Sequence, residues 1–231
     1  MHSGFLLIDK PAGISSNQAL TILKRKTGLK KMGHTGTLDP FATGLLIVGI
    51  GQATKQIPFV QDEPKVYEAE LKLGEETDTL DPTGKMIRSE AVPPLTDEQI
   101  RAVAASIIGP QEQIPPMFSA KQIDGQRLYE LARAGKTVER KPVKINIYDI
   151  KVKEIISPFV RFEVTVSGGT YVRVLALTLA QKLGTVGHLT QLRRVKMGEY
   201  EVKNAVLPES VSTEDIFFFS SKTPSRLSQG G

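Results

Sequence analysis

The chain has 231 residues, enough for one large domain or a domain with an appendage, and its 40% hydrophobic and 24% charged residues suit a packed core rather than a disordered chain. It has no cysteine, which excludes disulfides and thiolate metal sites, and His2, His34 and His188 are too scattered to suggest a zinc site. The net charge of +5 is segregated: Lys10 to Leu38 holds six bases and no acid, Lys121 to Lys144 seven bases and three acids, and Gln61 to Gln99 eleven acids and four bases.

Such segregation fits a polyanion-facing surface, and it equally fits solvated helix faces; charge alone does not decide between them. No apolar run is long enough to span a bilayer, and "MHSGFLLIDKPAG" lacks the apolar core and cleavage site of a signal peptide. A soluble cytoplasmic protein is expected.

In chain order, "GFLLIDKPAG" predicts a short buried strand ending in a Lys10-Pro11 turn. "SSNQALTILKRKTG" predicts a helix capped by Ser15 or Ser16 and stopped by Gly28. A loop of small residues then carries His34 and Asp39, and the apolar run Leu45 to Ile50 follows as a central strand. In "KVYEAELKLG", Tyr67, Ala69, Leu71 and Leu73 share one face, while Glu68, Glu70 and Lys72 share the other. The tyrosine therefore points with the core.

"TDEQIRAVAASIIG" carries the strongest helix signal: a Thr96–Gln99 capping box, an apolar stripe of Ile100, Val103, Ala104, Ile107 and Ile108, and a stop at Gly109. A proline-punctuated segment leads to a short basic helix around "RLYELARAG". Strands are expected near "VKINIYDIKV", "FVRFEVTVSGG" and "GEYEVKNAV", with a helix from about Thr170 through "TYVRVLALTLAQKLG". "LRRVK" adds Arg193, Arg194 and Lys196 to the basic segments, and no repeating structural unit is visible. Strands and helices without a regular βαβ rhythm imply an α+β fold, with a largely antiparallel sheet.

Few residues signal chemistry alone. Asp39 is held between small residues and Pro40, which can present a carboxylate rigidly or simply start a turn. Arg173 falls in the first turn of a helix, where the macrodipole disfavours a cation. A carboxylate held against it would offset this, and Asp39 is a candidate; a tolerated surface arginine is the alternative. Tyr67 reads as a core aromatic, His34 as a loop hydrogen-bonder, and Lys10-Pro11 as a turn.

Taken together, "LLIDKPAGISS", "GHTGTLDPFATGLLIVGIGQATK", "KVYEAELKLGEETDTLDPTG", "GGTYVRVLALTLAQKLG" and "HLTQLRR" resemble the TruB-type tRNA pseudouridine synthases in order, spacing and wording, over about Phe5 to Val202. The resemblance implies a pseudouridine-synthase-like α+β fold: a central mixed, largely antiparallel sheet flanked by helices, with a basic RNA-gripping insertion at about 120–143. It implies a catalytic domain over 1–215, without the C-terminal PUA-type domain of many relatives; the polar, Pro/Gly/Ser-rich end of "FFFSSKTPSRLSQGG", which matches nothing in that family, predicts a poorly ordered tail over 216–231. The resemblance also implies isomerisation of the T-loop uridine at position 55 of tRNA, by base flipping and covalent catalysis, with no cofactor and no metal.

By that resemblance Asp39 is the nucleophile, Tyr67 stacks on the base and assists proton removal, and Arg173 pairs with Asp39. Leu192 lines the pocket, His34 stacks in the RNA, and Lys10 and Pro11 belong to a motif supporting the pocket from beneath, all of them counted with the substrate-binding set. Arg127, Arg133, Lys136 and Arg140 of the insertion would grip the T arm of tRNA. A monomer without membrane or obligatory protein partner is expected. The rivals are a tRNA-folding chaperone, which would not need Asp39, and a guide-RNA-dependent synthase working in a larger particle.

Overall fold

The computed structural model describes residues 3–217 apart from residue 124. Strand β1 (Gly4–Lys10), helix α1 (Ser16–Thr27), β2 (Met32–His34) and β3 (Thr43–Ile50) come first. A 3-10 turn and the single-turn α2 (Ile57–Gln61) lead to β4 (Lys65–Leu73). The hairpin of β5 (Glu75–Thr77) and β6 (Met86–Ser89) precedes α3 (Asp97–Ser106) and β7 (Gly109–Gln113). The basic insertion holds β8 (Gln122–Ile123), β9 (Gln126–Arg127) and α4 (Leu128–Arg133). A long hairpin of β10 (Val143–Ile156) and β11 (Phe159–Val166) follows, then α5 (Val172–Lys182), β12 (Gly187–Met197) and β13 (Tyr200–Glu201).

Among the described residues nine strands form one sheet, ordered β1-β3-β12-β4-β11-β10-β7, with β2 added to β3 and β13 to β12. Every pairing is antiparallel except the short parallel contact of β12 with β3. The expected α+β architecture and mixed sheet are present. The run Leu45 to Ile50 is apolar throughout because both its faces are covered: Leu46, Val48 and Ile50 join one core cluster with α1, and Leu45 and Ile47 join another with Phe5, Val60 and Met197. Helices α3 and α5 pack on the far half of the sheet, burying Ile100, Ala104, Leu175 and Leu179.

Local signals set the helix ends. Ser15 caps α1 in a full capping box with Gln18, and Gly28 ends it in the left-handed conformation. Thr96 and Gln99 do the same for α3, but this helix ends at Ser106, and Gly109 opens β7 instead of stopping a helix. The expected loop of "GPQEQ" is thus an edge strand on β10, a place where Pro110 is tolerated. β12 is a second strand missed by periodicity. Register shifts at Leu189/Gln191 and Arg194/Lys196 break its alternation.

Two further expectations need correction. Glu70, expected on the polar face of β4, is buried, since Arg161, Thr190 and Gln191 of the flanking strands close over its carboxylate. The expected last strand shrinks to two residues before a 3-10 turn. Of the expected tail, residues 218–231 lie outside the described residues, whereas Phe217 exchanges two backbone hydrogen bonds with Phe5 of β1.

The parallel junction of β3 and β12 depends on one glycine. Gly44 has φ +102°, and a Cβ there would lie 2.3 Å from the Arg194 carbonyl oxygen. Gly44→Ala combines backbone strain with a clash against backbone. It should cost at least roughly 2 kcal/mol, a fall of about 4–8 °C in Tm for a chain of this size. Thermal unfolding followed by circular dichroism measures this, and an unchanged Tm would show that the junction can open without loss.

Candidate active site

Asp39 sits in the loop between β2 and β3, and several neighbours hold that loop. Ser16, the first residue of α1, accepts from the Leu38 backbone N–H (2.9 Å) and donates to the Leu38 carbonyl (3.1 Å). Gly13 N–H donates to the Pro40 carbonyl at 2.8 Å. Lys10 is fully buried, and its ammonium donates to the carbonyls of Pro11 and Ile14, both at 2.8 Å, with that of Pro40 at 3.5 Å. Lys10 and the exposed Pro11 thus brace the loop from below. Lys10 is held within the core and Pro11 at the surface.

The Asp39 carboxylate meets Arg173 side-on. Nε donates to Oδ2 at 2.9 Å and Nη2 to Oδ1 at 3.1 Å, the two-bond geometry that a guanidinium gives a carboxylate. Arg173 lies in the first turn of α5, and Gln113 of β7 fixes the start of that helix by bonding both the N–H and the carbonyl of Tyr171. Its remaining N–H groups reach the Thr79 and Phe118 carbonyls. The Arg173 side chain is 3% exposed and that of Asp39 31%, so the pair is buried on the arginine side and open to a cavity on the aspartate side.

A second carboxylate faces the same guanidinium. Asp81 Oδ2 lies 3.5 Å from Arg173 Nη1, on a loop held by Thr79 and Thr83. The tetrapeptide Thr-Leu-Asp-Pro occurs at 37–40 and again at 79–82, and the fold brings both aspartates to one arginine. That recurrence is the available signal for Asp81, and a search for whole repeating units passes over it. Two carboxylates and two carbonyls offset the unfavourable place of a cation at a helix N-terminus. Burial raises the Asp39 carboxyl above its ordinary value; Arg173 opposes the rise and the Asp81 charge adds to it.

Asp39 stands where two hollows meet. One, of about 350 Å³, is walled by Tyr67, Leu192, Lys65 and Arg194, a size within the usual range for small-molecule sites. The other, a groove of about 720 Å³, runs past His34 to Arg127, Tyr129 and Arg133. Tyr67 and Leu192 are buried on the adjacent strands β4 and β12, as expected of pocket residues. His34 is half-buried and its Nδ1 has no hydrogen-bond partner. Burial, with Arg194 nearby, lowers its pKa and keeps the imidazole neutral, which suits a stacking surface.

Beside Asp81, Lys65 and Arg194 are residues sequence reasoning missed. Arg194 reads as surface charge, yet it is 1% exposed and donates to the Leu45 carbonyl at 2.7 Å. Arg193 is also committed, to Asp9 at 2.7 Å. For Lys65 the signal is present, since the alternation that turns Tyr67 inward turns Lys65 inward too.

In the insertion, Arg127 and Arg133 flank the Tyr129 ring, with guanidinium carbons 5.9 and 5.5 Å from its centroid. Lys136 is exposed. Arg140 turns inward and donates to the Pro115 carbonyl at 3.2 Å, so it is not a free surface cation.

Residues 24–172 match the model described as TruB family pseudouridylate synthase, N-terminal domain. The protein named tRNA pseudouridine synthase B in Syntrophotalea carbinolica is 42% identical over 209 residues, which is 90% of this chain and 68% of that relative. The one in Geobacter sulfurreducens is 44% identical over 203 residues, 88% of this chain and 67% of the relative. A chain in the crystal structure of a Cbf5-Nop10-Gar1 complex superposes with a TM-score of 0.69 at 26% identity, covering 90% of this chain and 52% of that one. This chain thus spans about two thirds of those curated relatives and about half of that structural neighbour.

The three-charge arrangement predicts opposite shifts from two substitutions. Arg173→Ala leaves the buried Asp81 and the part-exposed Asp39 without their cation, so Asp39 should titrate at higher pH and stability should fall by about 3 kcal/mol. Asp81→Asn removes a like charge, so Asp39 should titrate at lower pH. Carbon NMR titration of the Asp39 carboxyl reads both. Equal midpoints in the wild type and Asp81→Asn would show that the second aspartate does not act on the first.

Proposed function

The chain belongs to the TruB family of pseudouridylate synthases, and we propose that it isomerises the T-loop uridine at position 55 of tRNA, with Asp39 as nucleophile. The observation that carries this reading is a carboxylate clamped by a buried guanidinium, with its free edge open to a pocket walled by Tyr67 and Leu192. A uridine stacked inside an RNA loop cannot reach such a carboxylate, so the base must leave the stack. In the pocket, Asp39 forms a transient covalent bond that divides one difficult exchange into two easier ones. The glycosidic bond to N1 breaks, the base turns, carbon 5 takes its place on the ribose, and the proton of carbon 5 is lost while N1 gains one.

Each neighbour has a role in this reading. Tyr67 offers an aromatic face that holds a base in any rotation. Leu192 and the buried walls exclude water, so the detached base is recaptured. His34, beside the groove, stacks where the flipped base was. The groove's Arg127 and Arg133, with the exposed Lys136, bind phosphates and orient the T arm. Such chemistry on this chain's own groups requires no cofactor, and a folding chaperone would have no use for the Asp39–Arg173 pair.

Asp39→Asn should abolish conversion while leaving tRNA affinity within about threefold, because phosphates supply most of the binding. Pseudouridine mapping of tRNA incubated with wild type and variant tests it. Conversion by the variant at the wild-type rate excludes Asp39 as nucleophile.

Replacing Arg127, Arg133 and Lys136 together with glutamine should weaken tRNA binding and lower the log–log salt slope by roughly 0.7–0.9 for each phosphate no longer neutralised. Turnover of bound tRNA should change less. Affinity across a salt series is the measurement, and an identical slope in both proteins would remove the insertion as a grip on RNA.

A further inference from the structure

Four buried cations, Lys10, Lys65, Arg173 and Arg194, lie around the pocket and the Asp39 loop, and among the described residues two carboxylates, the buried Asp81 and the part-exposed Asp39, face them. Both of those carboxylates lie against Arg173, and Lys10 sits beneath the Asp39 loop. Lys65 and Arg194 are left on the opposite wall, beside Tyr67, and among the described residues neither forms an ion pair. Lys65 donates to the Gln61 and Glu63 carbonyls at 2.6 and 2.9 Å. Arg194 donates to the carbonyls of Leu45 and Gly36 at 2.7 and 3.2 Å, with the Tyr67 hydroxyl at 3.5 Å from its Nη1. These partners satisfy hydrogen bonds without neutralising charge.

The two side chains are 5% and 1% exposed, and both line the cavity on which Asp39 opens. Gly36 lines the same cavity beside them: a Cβ there would meet Arg194 Nη1 at 3.5 Å and Lys65 Cε at 3.8 Å. Burial and the Arg194 charge lower the Lys65 ammonium to about 8, while Asp62 and Glu63 pull weakly the other way. Unpaired buried charge is expensive. A pocket that keeps two such charges is built for an anion that is absent at rest.

Resting on the function proposed above, we propose that Lys65 and Arg194 stabilise the target base as a detached uracil anion. A carboxylate oxygen of Asp39 bonds to the ribose carbon as the glycosidic electron pair departs on N1 and spreads over the two base oxygens. The anion turns in the pocket against Tyr67, facing the two cations. Carbon 5 then attacks the same ribose carbon and expels the Asp39 carboxylate. Loss of the carbon 5 proton and protonation of N1 complete the isomerisation, and no other reactant is consumed. The cations act as fixed charges aimed at a negative charge that develops only during reaction.

The test is single-turnover cleavage of the N1–ribose bond at the target position by wild type, Lys65→Met and Lys65→Arg, in tRNA carrying there either uridine or 5-fluorouridine, whose carbon 5 has no proton to lose and which therefore stops short of pseudouridine. Lys65→Met should slow cleavage at uridine on the order of 100-fold with unchanged tRNA affinity. Lys65→Arg, which keeps the charge, should recover most of the rate. The loss on 5-fluorouridine should be markedly smaller, because fluorine itself stabilises the base anion. An equal loss on both substrates, no loss, or a loss of affinity in place of rate, as a phosphate site would give, overturns the proposal. Wild-type protein that converts no tRNA uridine defeats the proposed function instead. Should Lys65→Met not fold, the wild type still decides. In complex with tRNA abasic at the target position, barbiturate, a pyrimidine anion at neutral pH, should bind at least about tenfold tighter than uracil; equal or weaker binding overturns the proposal.

Discussion

The guanidinium of Arg173 is the point on which the site is assembled. It is buried at the start of a helix, where its charge is unwelcome, and becomes tolerable only when the loops holding Asp39, Thr79, Asp81 and Phe118 converge on it. Those loops are far apart in sequence. Each of the parts that bear charge has its own brace: Ser16 and Lys10 for the Asp39 loop, the Thr79 and Thr83 hydroxyls for Asp81, and Gln113 for the helix itself. Positioning the Asp39 carboxylate is therefore a property of the whole sheet and its helices. A misplacement at any brace reaches the carboxylate.

The order of strands explains how the pocket acquires a wall opposite Asp39. β4 and β12 run side by side at the centre of the sheet, so Tyr67 and Arg194 are register partners, and Leu192 pairs with Ala69. The parallel contact at Gly44 brings β3, and with it the Asp39 loop, against the end of β12 that carries Arg194. One wall comes from sheet side chains with fixed directions, and the other from a braced loop. Rigid elements on both sides allow a geometry tight enough for covalent chemistry.

Local rules make much of this legible in the sequence. The caps of α1 and α3 are contained in a few adjacent residues, and the alternation of β4 turns Tyr67 inward correctly. The dipole argument singles out Arg173 and offers Asp39 as its partner, which the 2.9 and 3.1 Å contacts bear out. What is not legible depends on neighbours remote in sequence. "GPQEQ" has the composition of a loop and becomes a strand because β10 offers it a ladder. The bulges that hide the period of β12 are also what wrap Thr190 and Gln191 around Glu70. Arg194 reads like any surface arginine, because charge counts say nothing about burial.

The two Thr-Leu-Asp-Pro segments show how surroundings divide identical residues into different roles. Asp81 accepts from the Thr79 hydroxyl, the Thr83 hydroxyl and the Thr83 backbone N–H, and its side chain is 6% exposed. All three donors reach Oδ1, and Oδ2 faces Arg173 Nη1 at 3.5 Å, so Asp81 serves as a fixed negative charge that helps hold Arg173. Asp39 accepts side-chain hydrogen bonds from Arg173, and its side chain keeps 31% exposure toward the cavity. Further donors on Asp39 would hold its charge in place and weaken it as a nucleophile. A single guanidinium keeps it oriented, while burial and the Asp81 charge make its ionised form less comfortable than a solvated carboxylate. In the proposed reaction, forming a covalent bond relieves that discomfort. The aspartate pinned by its own loop helps keep the arginine in place, and the one open to the cavity is the one left to react in the proposed isomerisation.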